Sequence, residues 1–285
     1  MGFNDFFDKA NISEEGKAAF LAIHKMSVDE KFAKLYLESL MEFKKGDAAF
    51  GEHLPKFAEE VGLSQEELNF YLYVRISKLA LEEYRERGID EKIFYDSIST
   101  DFVPSCKAYC KKYGVYGIAK TARRWIGLVF AGKIFNLGSL RFQIAPSRYD
   151  AEIDGVSIKK GEPCISVHIS REKGLDEERC EASYAEAREF FAKHFGMKPP
   201  VFFCYSWLMQ PWLVDVVGED SNIAKFQKKY RNIDFVEDPG DVLMWVFPEK
   251  CERIEDYPED TKIQRATKER MLRGEIIGYG SGVRL

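Results

Sequence analysis

Cys164-Ile165-Ser166-Val167-His168-Ile169-Ser170-Arg171-Glu172-Lys173-Gly174-Leu175-Asp176, read with the helix and strand that follow it to Met209, decides how this chain folds. The first six residues alternate and are β-branched, the mark of a strand. Beyond them Cys180, Tyr184, Ala187, Phe191 and Phe195 recur at spacings of three and four, which puts them on one face of a helix. Asp176 stands where a side chain caps the first turn, and Leu175 and Cys180 hold the two positions of a hydrophobic staple. Gly196 ends the helix, and after Pro199-Pro200 the run Val201-Phe202-Phe203-Cys204-Tyr205-Ser206-Trp207 reads as a second strand. A crossover of this length returns that strand parallel to the first.

Between strand and helix lies the loop Arg171-Glu172-Lys173-Gly174-Leu175-Asp176. The free backbone N–H groups and dipole of a helix N-terminus make such a loop a place for an anion. It resembles the acyl-CoA loop of the GNAT superfamily of N-acyltransferases, whose pattern is Arg or Gln, two residues, Gly, one residue, then Gly or Ala. Arg171 and Gly174 match it, and Asp176 departs from it. Further along, residues 221–235 resemble the second GNAT signature, in which an Asn opens a helix, a Tyr lies about two turns on, and Gly-Phe begins a strand. Asn222, Ala224, Tyr230 and Phe235 fit with one extra residue, and Asp234 stands where Gly is usual.

The 285 residues allow two domains or one large one with ample chain for a core. A composition 45% hydrophobic and 14% aromatic argues for a packed globular protein and against disorder. No window is apolar enough to span a membrane, and Met1-Gly-Phe-Asn-Asp lacks the order of a signal peptide, so the expected location is the cytoplasm. Six cysteines without a disulfide framework then read as free thiols.

Residues 13–118 read as helical throughout. Ser27 with Glu30 and Ser64 with Glu67 have capping-box spacing, and Phe32, Tyr36, Leu40 and Phe43 form one apolar stripe, Leu68, Leu72, Ile76 and Leu79 another. Pro104 is expected to break a helix that would otherwise run over 90–113. From about residue 119 the character changes. A last helix over 117–131 leads to a strand at 140–144 and a hairpin centred on Asp154-Gly155, and strand and helix then alternate. Strands are expected near 233–236 and 242–247 and a helix over 259–273, while Gly278-Tyr279-Gly280-Ser281-Gly282 reads as too glycine-rich for a regular element. The expected division is a helical domain over 1–118 and a second domain over 119–285.

Between Asp101 and Asp150 there is no acidic residue, yet nine basic ones, Arg141 and Arg148 among them, in a chain of net charge −5. The run suggests a basic surface facing the phosphates of a nucleotide-like cofactor, an RNA, or acidic residues elsewhere in the fold. A pI near 5.6 and the lack of any RNA- or DNA-binding signature argue against nucleic acid. Cys106 and Cys110, one helical turn apart, lack further ligands nearby, so no metal site is expected.

Over nearly its full length the chain resembles a bacterial family of predicted acyltransferases in which an all-helical N-terminal domain precedes a GNAT-like C-terminal domain. The residues that carry this likeness include Gly138-Ser-Leu-Arg-Phe-Gln143, His168-Ile169, residues 181–191, Ser206-Trp207-Leu208, Ser221-Asn222-Ile223 and residues 261–266. The resemblance implies an α+β protein, a helical domain followed by an α/β domain with a mixed, mostly antiparallel sheet. It also implies an N-acyltransferase that moves an acyl group from acetyl-CoA or a longer acyl-CoA to a small-molecule or peptide amine by direct attack. Its implied cofactor contacts are backbone groups of Val167 and Ile169, with Arg171, Gly174 and Asn222. The implied proton handlers are His168, whose imidazole titrates near neutrality, as base and Tyr230 as acid toward the thiolate. The alternative is a GNAT-like module that has lost its chemistry, with Asp176 and Asp234 as the signs, and now binds a small ligand or a protein.

Overall fold

The fold was derived from a computed structural model that describes residues 2–45, 54–170, 173–247 and 249–285. The chain forms two compact units, 1–136 and 137–285. The first holds α1 (Phe3–Lys9), α2 (Glu14–Met26), α3 (Glu30–Lys45), α4 (Leu54–Val61), α5 (Gln65–Glu86), α6 (Glu91–Ser97), α7 (Val103–Tyr113) and α8 (Lys120–Phe130). At its centre is α5, which buries Leu68, Tyr71, Leu72, Tyr73, Ile76 and Tyr84 and so has apolar neighbours on more than one side. Its start is fixed by the Ser64–Glu67 capping box, in which each side chain takes the other residue's free N–H. The Tyr73 hydroxyl donates to the carbonyl of Arg123 at 2.9 Å and so ties α8 to α5.

Two local expectations in this unit give way. Ser27 does not open α3; it closes α2, with its hydroxyl donating to the His24 carbonyl. Pro104 does not break the chain, because a π-helical turn at Ile98–Phe102 joins α6 to α7 and places Pro104 in the first turn of α7, where its missing N–H costs nothing.

The second unit is built on a six-stranded sheet. Its strands are β1 (Ile134–Leu137), which spans the division between the units, β2 (Leu140–Pro146), β5 (Pro163–Ile169), β6 (Phe202–Ser206), β7 (Arg231–Glu237) and β8 (Gly278–Arg284). They lie in the order β1-β2-β5-β6-β8-β7, and a separate hairpin pairs β3 (Ala151–Ile153) with β4 (Val156–Ile158). The hairpin turns at Asp154 and Gly155, both with positive φ, as the Asp-Gly pair demands. As expected from the crossover, β5 and β6 run parallel, while β2–β5, β6–β8 and β7–β8 are antiparallel. The helices are α9 (Glu177–Phe195), α10 (Leu213–Val217), α11 (Asn222–Lys228), α12 (Pro239–Val246) and α13 (Lys262–Leu272). On one face of the sheet Tyr184 of α9 packs edge-on against Phe142 and Phe202. On the other, Ile153 and Ile158 of the hairpin close over Cys164, Phe203 and Val283.

Two strand expectations near the C-terminus are reversed. Residues 242–247, rich in Val, Trp and Phe, read as a strand, but Pro239 opens α12 there and leaves Met244 and Trp245 exposed. The glycine-rich tail, read as irregular, is β8, an interior strand of the sheet. An added Cβ would lie 1.9 Å from the Val236 carbonyl oxygen at Gly278, 2.4 Å from the Met209 carbonyl oxygen at Gly280, and 2.8 Å from the Tyr230 Cβ at Gly282. Chain crosses the strand too closely there for any side chain, so the glycines mark close approach.

Candidate active site

The pairing of β5 with β6 is short. It joins Ile165 to Phe202, Ser166 to Phe203 and Val167 to Cys204, and then stops. Yet β5 continues to Ile169 against β2, and β6 continues to Ser206 against β8. The two parallel strands therefore part, and a gap opens in the middle of the sheet beyond Val167 and Cys204. The Ile165 N–H donates to the Val201 carbonyl, so it points toward β6. By the two-residue alternation of a strand, the N–H groups of Val167 and Ile169 point the same way, and that of Ile169 enters the gap where no ladder partner remains.

The gap opens toward the N-terminus of α9. Asp176 caps that helix, its carboxylate accepting from the Arg179 N–H at 3.0 Å, and Leu175 and Cys180 are both buried as a staple requires. Gly174 is exposed, in left-handed backbone with φ +67° and open space around it. Arg171 lies outside the described residues. Three lysines surround this helix start. The ammonium of Lys173 donates to the Gly138 carbonyl, and those of Lys225 and Lys229 stand 3.9 and 3.0 Å from Glu177. Sequence reading missed them; the only signal was their i,i+4 spacing, which puts both cations on one side of α11. Asn222, at the first position of α11, is exposed, and the cap beside it is Ser221, whose hydroxyl accepts from the Ala224 N–H.

His168 and Tyr230 lie on opposite faces of the sheet. His168 pairs across the ladder with Arg141 on the face that carries the hairpin. Its Nε2 is 2.9 Å from Gln143 Oε1. Burial, together with the nearby charges of Arg141 and Arg148, pushes its pKa down from 6.5 to about 4. The ring is therefore neutral at physiological pH. Gln143 presents its oxygen to Nε2, which makes that nitrogen the donor in this pair.

Tyr230 is on the α9 face. It lies in the turn after α11, not within the helix, and is buried with its hydroxyl bonded to that of Tyr184. Arg284 lies over the Tyr184 ring at 3.8 Å and is held there by a two-point ion pair with Glu181. Burial raises the pKa of both tyrosines well above the usual 10, so neither hydroxyl ionises. Cys204, beside the gap, and Cys164, at the far end of β5 from it, are both pushed up to about 12 by burial and stay protonated, which removes them as nucleophiles at neutral pH. Among the described residues no three His, Cys, Asp or Glu side chains come together as a metal site, and no helix is long and apolar enough to cross a membrane.

A mixed sheet whose parallel central strands part before a helix N-terminus is the arrangement of a GNAT-like domain. The chain belongs to a two-domain N-acyltransferase family: residues 1–132 match the N-acyltransferase N-terminal domain and residues 134–284 the GNAT-like C-terminal domain. Among solved structures, an acyltransferase in complex with decanoyl-CoA and teicoplanin is similar over 99% of this chain and 86% of that one, at 19% identity and a TM-score of 0.72. An acyltransferase in complex with CoA and 10C-teicoplanin is similar over the same shares, at 18% identity and a TM-score of 0.73. Another, in complex with decanoyl-CoA, matches 76% of this chain and 65% of its own, at 22% identity and a TM-score of 0.63. These likenesses establish the shared fold. Among curated proteins there is no match.

Proposed function

We propose that the protein transfers an acyl group from an acyl-CoA to an amine by direct attack at the gap between β5 and β6. The observation that carries this reading is the parting of those strands after Val167 and Cys204, which frees the Ile169 N–H in front of the α9 N-terminus. An N–H held by a sheet and aimed into a gap is preorganised for the oxyanion that forms when an amine adds to a thioester carbonyl. The acyl-CoA complexes of the similar structures support the same ligand class here.

The steps follow from the environments described. The amine nitrogen forms a bond to the thioester carbon, and its protons become acidic as positive charge develops on it. His168 takes one, its ring held at Nε2 by Gln143. A pKa near 4 makes it a weak base, so the proton rests on the ring only in passing and ends on the departing thiolate, the stronger base. The C–S bond then breaks and the thiolate leaves. A free thiol has a pKa near 8.5, below that of Tyr230, so full proton transfer from this tyrosine to sulfur is uphill. Tyr230 instead donates a hydrogen bond to the departing sulfur, keeping its proton while Tyr184 donates to its oxygen. Val167 and Ile169 hold the thioester arm by backbone, Asn222 contacts it from α11, and Arg171, Gly174 and the lysines around α9 take the phosphates.

Asp176 is the feature this reading must accommodate. Its carboxylate is committed to the helix cap, so it repels a pyrophosphate without abolishing the site. The test is calorimetric titration with decanoyl-CoA and with CoA, on the wild type and on Asp176→Ser, which keeps a capping oxygen and removes the charge. Micromolar binding that tightens severalfold in the variant is expected. Absence of binding in both proteins would overturn the reading and favour a non-catalytic module.

A further inference from the structure

Around His168 the second unit carries a group of side chains that the chemistry above does not use. At the level where β5 and β6 part, strand register places Arg141, His168, Tyr205, Ser281 and Asp234 in one row across the hairpin face of the sheet. Arg148, in the loop after β2, reaches over this row. Its guanidinium stacks 4.5 Å above the Tyr205 ring, lies 5.9 Å from the Tyr279 ring, and donates to the Tyr279 hydroxyl at 3.3 Å. Its backbone N–H donates to the Tyr205 hydroxyl, also at 3.3 Å. Tyr149 packs beside Tyr205 at 6.1 Å, between Asp234 and Ser281.

Arg148 is exposed, and among the described residues no carboxylate pairs with it. An arginine fixed at its backbone, stacked on two rings and lacking an acidic partner is a preorganised receptor for an anion, since less side-chain freedom is lost when the fork binds. The anion cannot be the phosphates of an acyl-CoA held at α9, because that helix packs on the opposite face of the sheet. His168, the group that meets the attacking amine, is on the same face as Arg148 and close enough to feel its charge.

We propose that Arg148, held by Tyr205 and Tyr279, binds a carboxylate of the acceptor and thereby places its amine at the gap beside His168. The acceptor class is then an amine that carries an acid group, as an amino acid or a peptide with a free C-terminus does. This rests on the acyltransferase reading, and extends it by assigning the acceptor side of the site. Tyr149 and Tyr205 supply a partly buried aromatic wall for the body of such an acceptor.

The test is thiol release from decanoyl-CoA with paired acceptors, tyrosyl-containing dipeptides and their C-terminal amides. Each pair differs by one carboxylate at nearly the same amine basicity. The free acids should show a KM about tenfold or more below that of the amides. Arg148→Gln should raise the KM of the acids to that of the amides with little change in kcat, and Arg148→Lys should restore part of the difference. Calorimetry of each variant with decanoyl-CoA should match the wild type. If decanoyl-CoA binds to all proteins but acids and amides react alike, or neither is acylated, the acceptor assignment is overturned while the acyl-CoA reading stands. If decanoyl-CoA does not bind at all, both fail.

Discussion

The hydroxyl pair Tyr184–Tyr230 allows packing and chemistry to be measured separately. Both rings are buried, and the described hydrogen bond of each hydroxyl is to the other. Tyr230→Phe leaves the Tyr184 oxygen buried beside an apolar ring edge, and Tyr184→Phe does the converse. A buried polar group deprived of its partner costs about 1–3 kcal/mol, whereas replacing both partners by apolar groups of the same shape is close to neutral. Each single variant should therefore lose about 2 kcal/mol of stability and the double variant less than either, a coupling of about 2–4 kcal/mol in a double-mutant cycle. Urea denaturation followed by tryptophan fluorescence reads this directly, because Trp207 and Trp212 lie in the same unit.

Turnover is the second axis of the same cycle. If Tyr230 donates to the leaving sulfur, a hydrogen bond to developing charge worth about 1.5–3 kcal/mol is lost when its oxygen goes, so Tyr230→Phe and the double variant should be slower by about 10- to 150-fold in kcat. Tyr184→Phe should stay within a few-fold of wild type, although it is the less stable protein. Additive stability changes would refute the hydroxyl pair as an energetic unit. A double variant that turns over like wild type would refute the sulfur-donor role, and Tyr230 would then be a packing residue alone.

Two further outcomes follow from particular atoms. The folded-state pKa of His168, about 4, lies below the ordinary 6.5, so between these values the unfolded chain takes up a proton that the native protein refuses. Stability contributed by the neutral ring is intact above pH 6.5 and falls toward pH 4 by about 2–3 kcal/mol, the lower figure allowing for partial exposure. Denaturation midpoints of wild type and His168→Gln compared over that range should converge as pH falls; parallel curves would show that the ring is not held neutral. Gly280→Ala drives a Cβ to 2.4 Å from the Met209 carbonyl oxygen, which is backbone and cannot swing aside. A loss of about 2–3 kcal/mol is expected in chemical denaturation, and a loss under 1 kcal/mol would show that the strand tolerates a side chain.

The strand–helix–strand unit was readable because each signal in it is local. Alternation gave β5, helical spacing gave α9, Asp176 gave its cap and Gly196 its end, and the crossover length gave the parallel pairing. Where local preference and tertiary need disagree, the reading failed. Glycines at 278, 280 and 282 speak against a strand until one knows that Met209, Tyr230 and Val236 press on them from neighbouring elements. The run from Val242 to Phe247 has the composition of a strand, but Pro239 starts a helix, and composition cannot weigh that against β propensity.

The same distinction explains what could be seen of the site. Residues 167–170 and 173–176 lie close in sequence, so their shared place in front of α9 was legible. Arg148, Tyr205 and Tyr279 are separated by 57 and 131 positions from the arginine, and no spacing rule joins them. Only the register of β6 against β8, with the loop after β2 folded over both, brings them to one face. The basic run between Asp101 and Asp150 did hint that positive charge was being collected, but a charge count has no direction. The strand pairing supplies one: Arg141 lies opposite His168 and Arg148 lies over Tyr205, so the two arginines flank the gap on the face away from α9. The lysines around the α9 N-terminus, with the cap it shares with Asp176, serve the other face. A sheet that parts in its middle thus gives two electropositive sides with separate partners, one suited to the phosphates of an acyl-CoA and the other to an acid group on the acceptor.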